Sequence, residues 1–93
     1  MEVILKKSFI KEVKRLPKYL SEACNEVVNI LEKAKSISDT NLDYKIMEGQ
    51  KEGENYIRIR IGGYRIGAEF IDPNIILITV GSRNDIYKSF PPK

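Results

Sequence analysis

Tyr56-Ile57-Arg58-Ile59-Arg60-Ile61-Gly62-Gly63-Tyr64-Arg65-Ile66 alternates isoleucine with arginine, turns on two glycines and brings three guanidinium groups within ten residues. Alternation of this kind has the period of a half-buried strand. Ile57, Ile59 and Ile61 are therefore expected to face a core, and Tyr56, Arg58 and Arg60 the other side of the sheet. A Gly-Gly connection returns the chain as a hairpin, because the favoured two-residue turns need φ > 0 and glycine enters that region without penalty. With Ile61 opposite Tyr64, Ile59 faces Ile66 and Arg60 lies directly across from Arg65. Like charges paired across a sheet repel. A rule obeyed along the hairpin and broken at one pair marks a candidate functional position, where the missing partner is an anion such as phosphate.

Outward from the hairpin, Val3-Ile4-Leu5 reads as a short first strand, and Ser8 as the cap of a helix beginning at Phe9. Phe9, Ile10, Val13 and Leu16 recur at helical spacing up to Pro17, with Lys11, Lys14 and Arg15 on the remaining face. From Lys18 a second helix carries Leu20, Ala23, Cys24, Val27, Leu31 and Ala34 as one apolar stripe and is expected to end near Ser36. Residues 37 to 54 are polar, punctuated by Gly49 and Gly53, with Tyr44, Ile46 and Met47 expected to tuck under as satellite core. After the hairpin come a strand over Tyr64 to Ile71, a turn at Asp72-Pro73-Asn74 and a continuous apolar strand Ile75 to Val80, the pattern of a strand covered on both faces. Gly81 to Lys88 is expected to leave that strand as a loop or a single helical turn, before Pro91 and Pro92 stop regular structure. The reading is α+β: an N-terminal strand, then a two-helix hairpin packed on a three- to four-stranded, mainly antiparallel sheet.

Composition sets bounds on what such a fold can do. Ninety-three residues are expected to form a single domain over 1–93, and the 42% hydrophobic and 31% charged content is that of a globular chain. Neither a signal peptide nor a membrane span is read from it, so the protein is expected to be cytoplasmic. One cysteine and no histidine leave no basis for a zinc site or a Ser/Cys-His triad, and no cofactor is expected. The net charge of +3 is unevenly spread: residues 1–18 hold six basic and two acidic side chains, residues 19–55 four and eight, and residues 56–93 six and three. Basic ends around an acidic middle point to nucleic acid or an acidic protein as partner. The plainer alternatives remain open: Arg58 and Arg60 as outward charges guarding an edge strand, Arg65 paired with Glu69 or Asp85, and Tyr87 packed against the sheet edge.

Three stretches together resemble the RelE/ParE toxin superfamily: Arg15-Leu16-Pro17-Lys18 closing the first helix, the Ile/Arg hairpin, and Gly81-Ser82-Arg83-Asn84-Asp85-Ile86-Tyr87 after the last strand. The resemblance spans nearly the whole chain. It implies the toxin of a type II toxin–antitoxin pair: an endoribonuclease that cleaves mRNA in the ribosomal A site, a poison of DNA gyrase, or a degraded toxin that keeps only the fold and antitoxin binding. For the ribonuclease branch it implies that Arg58, Arg60 and Arg65 hold the scissile phosphate, that Arg83 assists, and that Tyr87 stacks on or activates the RNA. The partners so implied are a cognate antitoxin, the ribosome and mRNA, with no membrane and no small-molecule cofactor. Some relatives place lysine where Arg58 stands, or a histidine or lysine where this chain has Ser82. Proton transfer then falls to Tyr87, Lys88 or a group on the ribosome, since arginine is too basic to accept a proton at neutral pH.

Overall fold

The computed structural model describes residues 1–48 and 50–91, so the expectations placed on Gly49 and Pro92 lie outside the described residues. Strands β3 (Tyr56–Ile61) and β4 (Tyr64–Ile71) form the hairpin with Ile61 opposite Tyr64, Ile59 opposite Ile66 and Arg60 opposite Arg65, as the alternation requires. Gly62 takes the left-handed φ of 63° at the turn, the conformation that a Cβ disfavours. Beyond it, β5 (Asn74–Ser82) pairs antiparallel with β4 and parallel with β1 (Glu2–Leu5). The sheet has five strands, in the order β1-β5-β4-β3-β2, rather than three or four. The unforeseen strand is β2 (Tyr44–Ile46), which pairs antiparallel with β3 and forms one edge. Three residues bounded by turn formers show too little alternation to be read as a strand; pairing with β3 supplies what local pattern does not.

Helices α1 (Lys7–Lys14) and α2 (Lys18–Lys33) cover the isoleucine face. Phe9, Cys24, Val27 and Leu31 meet Ile57, Ile59, Ile66, Ala68, Ile75 and Leu77 in one buried cluster. Each of the Phe, Val, Leu and Ile side chains among them stabilises the fold by roughly 1.5–3 kcal/mol relative to leaving it in water. Ser8 is not the cap. The Lys6 N–H bonds Leu77 O, carrying the β1 ladder straight into α1 at Lys7, so Ser8 falls in the first turn and donates its hydroxyl to Ile78 O. A register shift between Gly67 and Ala68 interrupts the β4 and β5 pairing. Beside it, Glu12 of α1 accepts from Thr79 Oγ1 at 2.7 Å and from the Val80 N–H at 3.3 Å, satisfying a donor the ladder leaves over. Helix α2 ends at Lys33, ahead of Ser36, and the Met1 amino group donates to the carbonyls of Leu31, Glu32 and Ala34 at that end. Ile46, expected to tuck under, is 72% exposed, because β2 lies at the sheet edge.

The segment after β5 is longer than a single turn: α3 runs Arg83–Ser89, with Ser82 Oγ accepting from the Asp85 N–H. It docks Ile86 and Phe90 onto the face opposite α1 and α2. Phe90 lies over Gly67, where an added Cβ would stand 2.9 Å from its ring, and meets the Tyr56 ring edge-on at 5.5 Å. Gly67 is thus a close approach between backbone and ring. Among the described residues no helix is long and apolar enough to cross a membrane.

Candidate active site

The arginine face is open where α3 does not reach it. Pairing sets Arg60 opposite Arg65 and Lys45 of β2 opposite Arg58, so four cationic side chains project from neighbouring strands. With Asp43 they line a hollow of about 140 Å³, enough for a small hydrated oxyanion. Lys45 was not foreseen as part of this group, because β2 itself was not foreseen; its signal is visible only once the strand pairing is known.

Arg65 sits at the bottom, 7% exposed. Its Nη1 donates to the carbonyls of Gly62 and Tyr64, both at 3.0 Å, which fixes the guanidinium against its own turn. No carboxylate pairs with it among the described residues: the ion pairs there are Lys18 with Glu22 and Arg60 with Asp43, the latter at 4.0 Å and exposed. The alternatives in which Glu69 or Asp85 neutralises Arg65 are therefore not realised, and Glu69 lies opposite Tyr56 instead. Burial lowers the Arg65 pKa below its ordinary value, and the charges of Arg60, Arg58 and Arg83 lower it further against a small opposing effect of Asp43. The group is still protonated at neutral pH, so the hollow holds a desolvated positive charge.

Arg83 and Tyr87 are placed less tightly. Arg83 opens α3, with its N–H to Gly63 O at 3.3 Å; it is exposed and acts on Arg65 through its charge but does not line the hollow. Tyr87, one helical turn on, lies beside Arg58, whose guanidinium carbon stands 5.5 Å from the ring centre. The ring is 46% exposed, its remaining surface lying against the strand side chains beside Arg58. Lys88 is exposed and lines neither this hollow nor its neighbour. Of the five expected residues, then, three line one hollow, Tyr87 adjoins it through Arg58, and Arg83 stands at its margin.

This geometry can be set beside known proteins. A family model described as the ParE toxin of the type II toxin–antitoxin system, parDE, matches residues 3–87. The chain is also 35% identical over 91 residues to Toxin RelE3 of Methanocaldococcus jannaschii, covering 98% of this chain and 100% of that protein. The chain belongs to the RelE/ParE toxin superfamily. Its fold agrees with that of solved RelE/ParE relatives. The RelB–RelE antitoxin–toxin complex of Methanococcus jannaschii gives a TM-score of 0.79 at 32% identity, over 95% of this chain and 99% of that one. The archaeal RelE–RelB complex of Pyrococcus horikoshii OT3 gives 0.71 at 25%, over 88% and 93%. The protein is a toxin of the type II toxin–antitoxin class.

The chemistry open to this RelE/ParE chain is narrow. Cys24 is fully buried and burial pushes its thiol up to about 11, so it is inert as a nucleophile at neutral pH. Among the described residues no three His, Cys, Asp or Glu side chains gather as a metal site. What the hollow offers is fixed positive charge.

Proposed function

We propose that this toxin is an endoribonuclease that cleaves mRNA on the ribosome, and that a cognate antitoxin holds it in check. The observation that carries the reading is Arg65: a buried guanidinium without a carboxylate partner among the described residues, at the bottom of a hollow that Arg58, Arg60 and Lys45 also line. A charge taken out of water and left unpaired is costly, and an incoming phosphate offsets that cost. In the reaction a ribose 2′-oxygen attacks the adjacent phosphorus, the bond to the 5′-oxygen breaks, and a 2′,3′-cyclic phosphate and a 5′-hydroxyl result. Negative charge grows on the phosphoryl oxygens, where donors already in position contribute about 3 kcal/mol each. The proton leaves the 2′-hydroxyl and a proton reaches the 5′-oxygen; Lys45 and Tyr87 are the groups beside the hollow able to exchange one, and Arg83 adds charge from its margin. The RelB–RelE complexes to which the chain is similar support an antitoxin as its partner.

Purified toxin on programmed ribosomes tests this. Wild type is expected to cut the mRNA, and Arg65→Ala to slow cleavage about 100-fold. Tyr87→Phe separates stacking from chemistry: a mild defect in Phe beside a large one in Ala identifies a stacked base, whereas equal large defects identify the hydroxyl. The family match is to a ParE description, which makes DNA gyrase the second reading. Intact ribosome-bound mRNA together with arrested gyrase supercoiling would replace the first reading by the second.

A further inference from the structure

Strand β1 is the edge of the sheet farthest from β2, and among the described residues no strand lies beyond it. Its parallel pairing with β5 sets Ile4 beside Ile76, and the ladder continues through the Lys6 N–H to Leu77 O at 2.9 Å. In a parallel ladder, residues whose backbone groups serve one neighbour alternate with residues whose groups serve the other. The N–H groups of Ile4 and Lys6 therefore point toward β5, and Val3 and Leu5 turn both N–H and C=O outward to an open edge. The side chains alternate as well. Val3 packs against the core under the helices, so Glu2, Ile4 and Lys6 share the opposite face, and all three are exposed. Glu2 and Lys6 form no ion pair among the described residues. An open edge that carries an exposed isoleucine is a place where another strand adds.

The order Glu2-Val3-Ile4-Leu5-Lys6 selects the strand that fits. Hydrogen-bonded pairs must join outward residues, so an antiparallel second copy can lie with Val3 on Val3, Val3 on Leu5, or Leu5 on Leu5. The first register sets Glu2 opposite Ile4 and the last sets Ile4 opposite Lys6, each leaving a charge against an apolar side chain. The middle register alone puts Ile4 against Ile4 on the two-fold axis, at a non-hydrogen-bonded pair where side chains stand closest. It also flanks that pair on both sides with Glu2 opposite Lys6 of the other copy. Like charges at these two positions would forbid the register; the chain has opposite ones, as the two-fold interface of identical chains requires. We propose that a second copy of this chain docks antiparallel on β1 in this register, joining two five-stranded sheets into one. The arginine hollows, on the β2 side of each sheet, stay open at its two outer ends.

Sedimentation velocity of the full chain from about 5 to 500 μM is expected to show passage from monomer to dimer, since so short a pairing makes a small, reversible interface. Glu2→Lys sets lysine opposite Lys6 on both sides of the axis, and Lys6→Glu sets glutamate opposite Glu2. Each variant alone should weaken dimerisation at least about tenfold. Mixed together, the two variants restore both opposite-charge pairs, and a heterodimer about as tight as the wild-type dimer should form. Both positions are exposed, so circular dichroism of each variant should match wild type. Hydrogen exchange locates the contact: the Val3 and Leu5 amides should slow with rising concentration, while the Ile4 amide, already turned to β5, stays as it was. A monomer throughout the range, a dimer that Glu2→Lys leaves unchanged, or a mixture of variants that fails to associate overturns the proposal. Protection of Val3 and Leu5 that arises only on adding an antitoxin gives the edge to that partner and overturns it as well.

Discussion

Arg65 concentrates the electrostatics of the site. Its folded pKa is lowered, so the folded state favours the neutral form, and below that value the charged group costs stability. The cost is present in full at pH 7 and is relieved only as strongly alkaline pH passes through the lowered value. An anion in the hollow relieves it at neutral pH. Phosphate at ten times its dissociation constant is therefore expected to stabilise the protein by about 1.4 kcal/mol, raising the melting temperature by several degrees. In Arg65→Ala the protein without phosphate should melt within a few degrees of wild type, because a buried charge and its two carbonyl contacts leave together. Its phosphate shift should fall by at least half. Equal shifts in both proteins, read by differential scanning calorimetry, would place the anion elsewhere.

Among the elements, α3 sets how the aromatic side of the site meets the strands. Phe90 rests on Gly67, and α3 holds Tyr87 beside Arg58 one turn earlier. Gly67→Ala inserts a methyl group 2.9 Å from three atoms of a buried ring, so the ring must move, and α3 with it. The expected outcome is about 1–3 kcal/mol of lost stability together with a larger fractional loss of cleavage than that destabilisation produces at a temperature where the variant remains folded. Gly63→Ala serves as the control, since nothing lies within 4 Å of a Cβ there and its φ is not left-handed. Full cleavage by folded Gly67→Ala would detach α3 from the activity.

At the scale of the whole molecule, a chain of net charge +3 gathers Lys45, Arg58, Arg60 and Arg65 into one cationic surface. An acidic antitoxin segment approaching that surface is steered by charge, and exposed charges are screened beyond about 8 Å at physiological salt. Its association rate, measured by stopped flow, is expected to fall at least tenfold between 50 and 500 mM salt, with a smaller change in the dissociation rate. A rate indifferent to salt would mean that apolar contact alone brings the pair together.

The hairpin register, the two helices and the antiparallel β3-β4-β5 order were determined by the sequence itself, because each rests on local pattern: alternation in Tyr56 to Ile61, a 3.6-residue stripe from Leu20 to Leu31, and turn formers, Gly62-Gly63 and Asp72-Pro73, where the chain reverses. Of the candidate residues, Arg58, Arg60 and Arg65 were legible as one group, since strand alternation and the hairpin register assign them to one side, whereas the approach of Tyr87 to Arg58 and the place of Arg83 outside the hollow were decided by the tertiary structure. Other features belonged to tertiary structure alone. Residues 44–46 became a strand because β3 offered an unpaired edge, and that pairing brought Lys45 to Arg58; Gly67 found its reason in Phe90, 23 positions along the chain; Glu12 found its partners in Thr79 and Val80. Such contacts join segments whose own patterns are weak, and their free energy exists only after the chain has closed the loops between them.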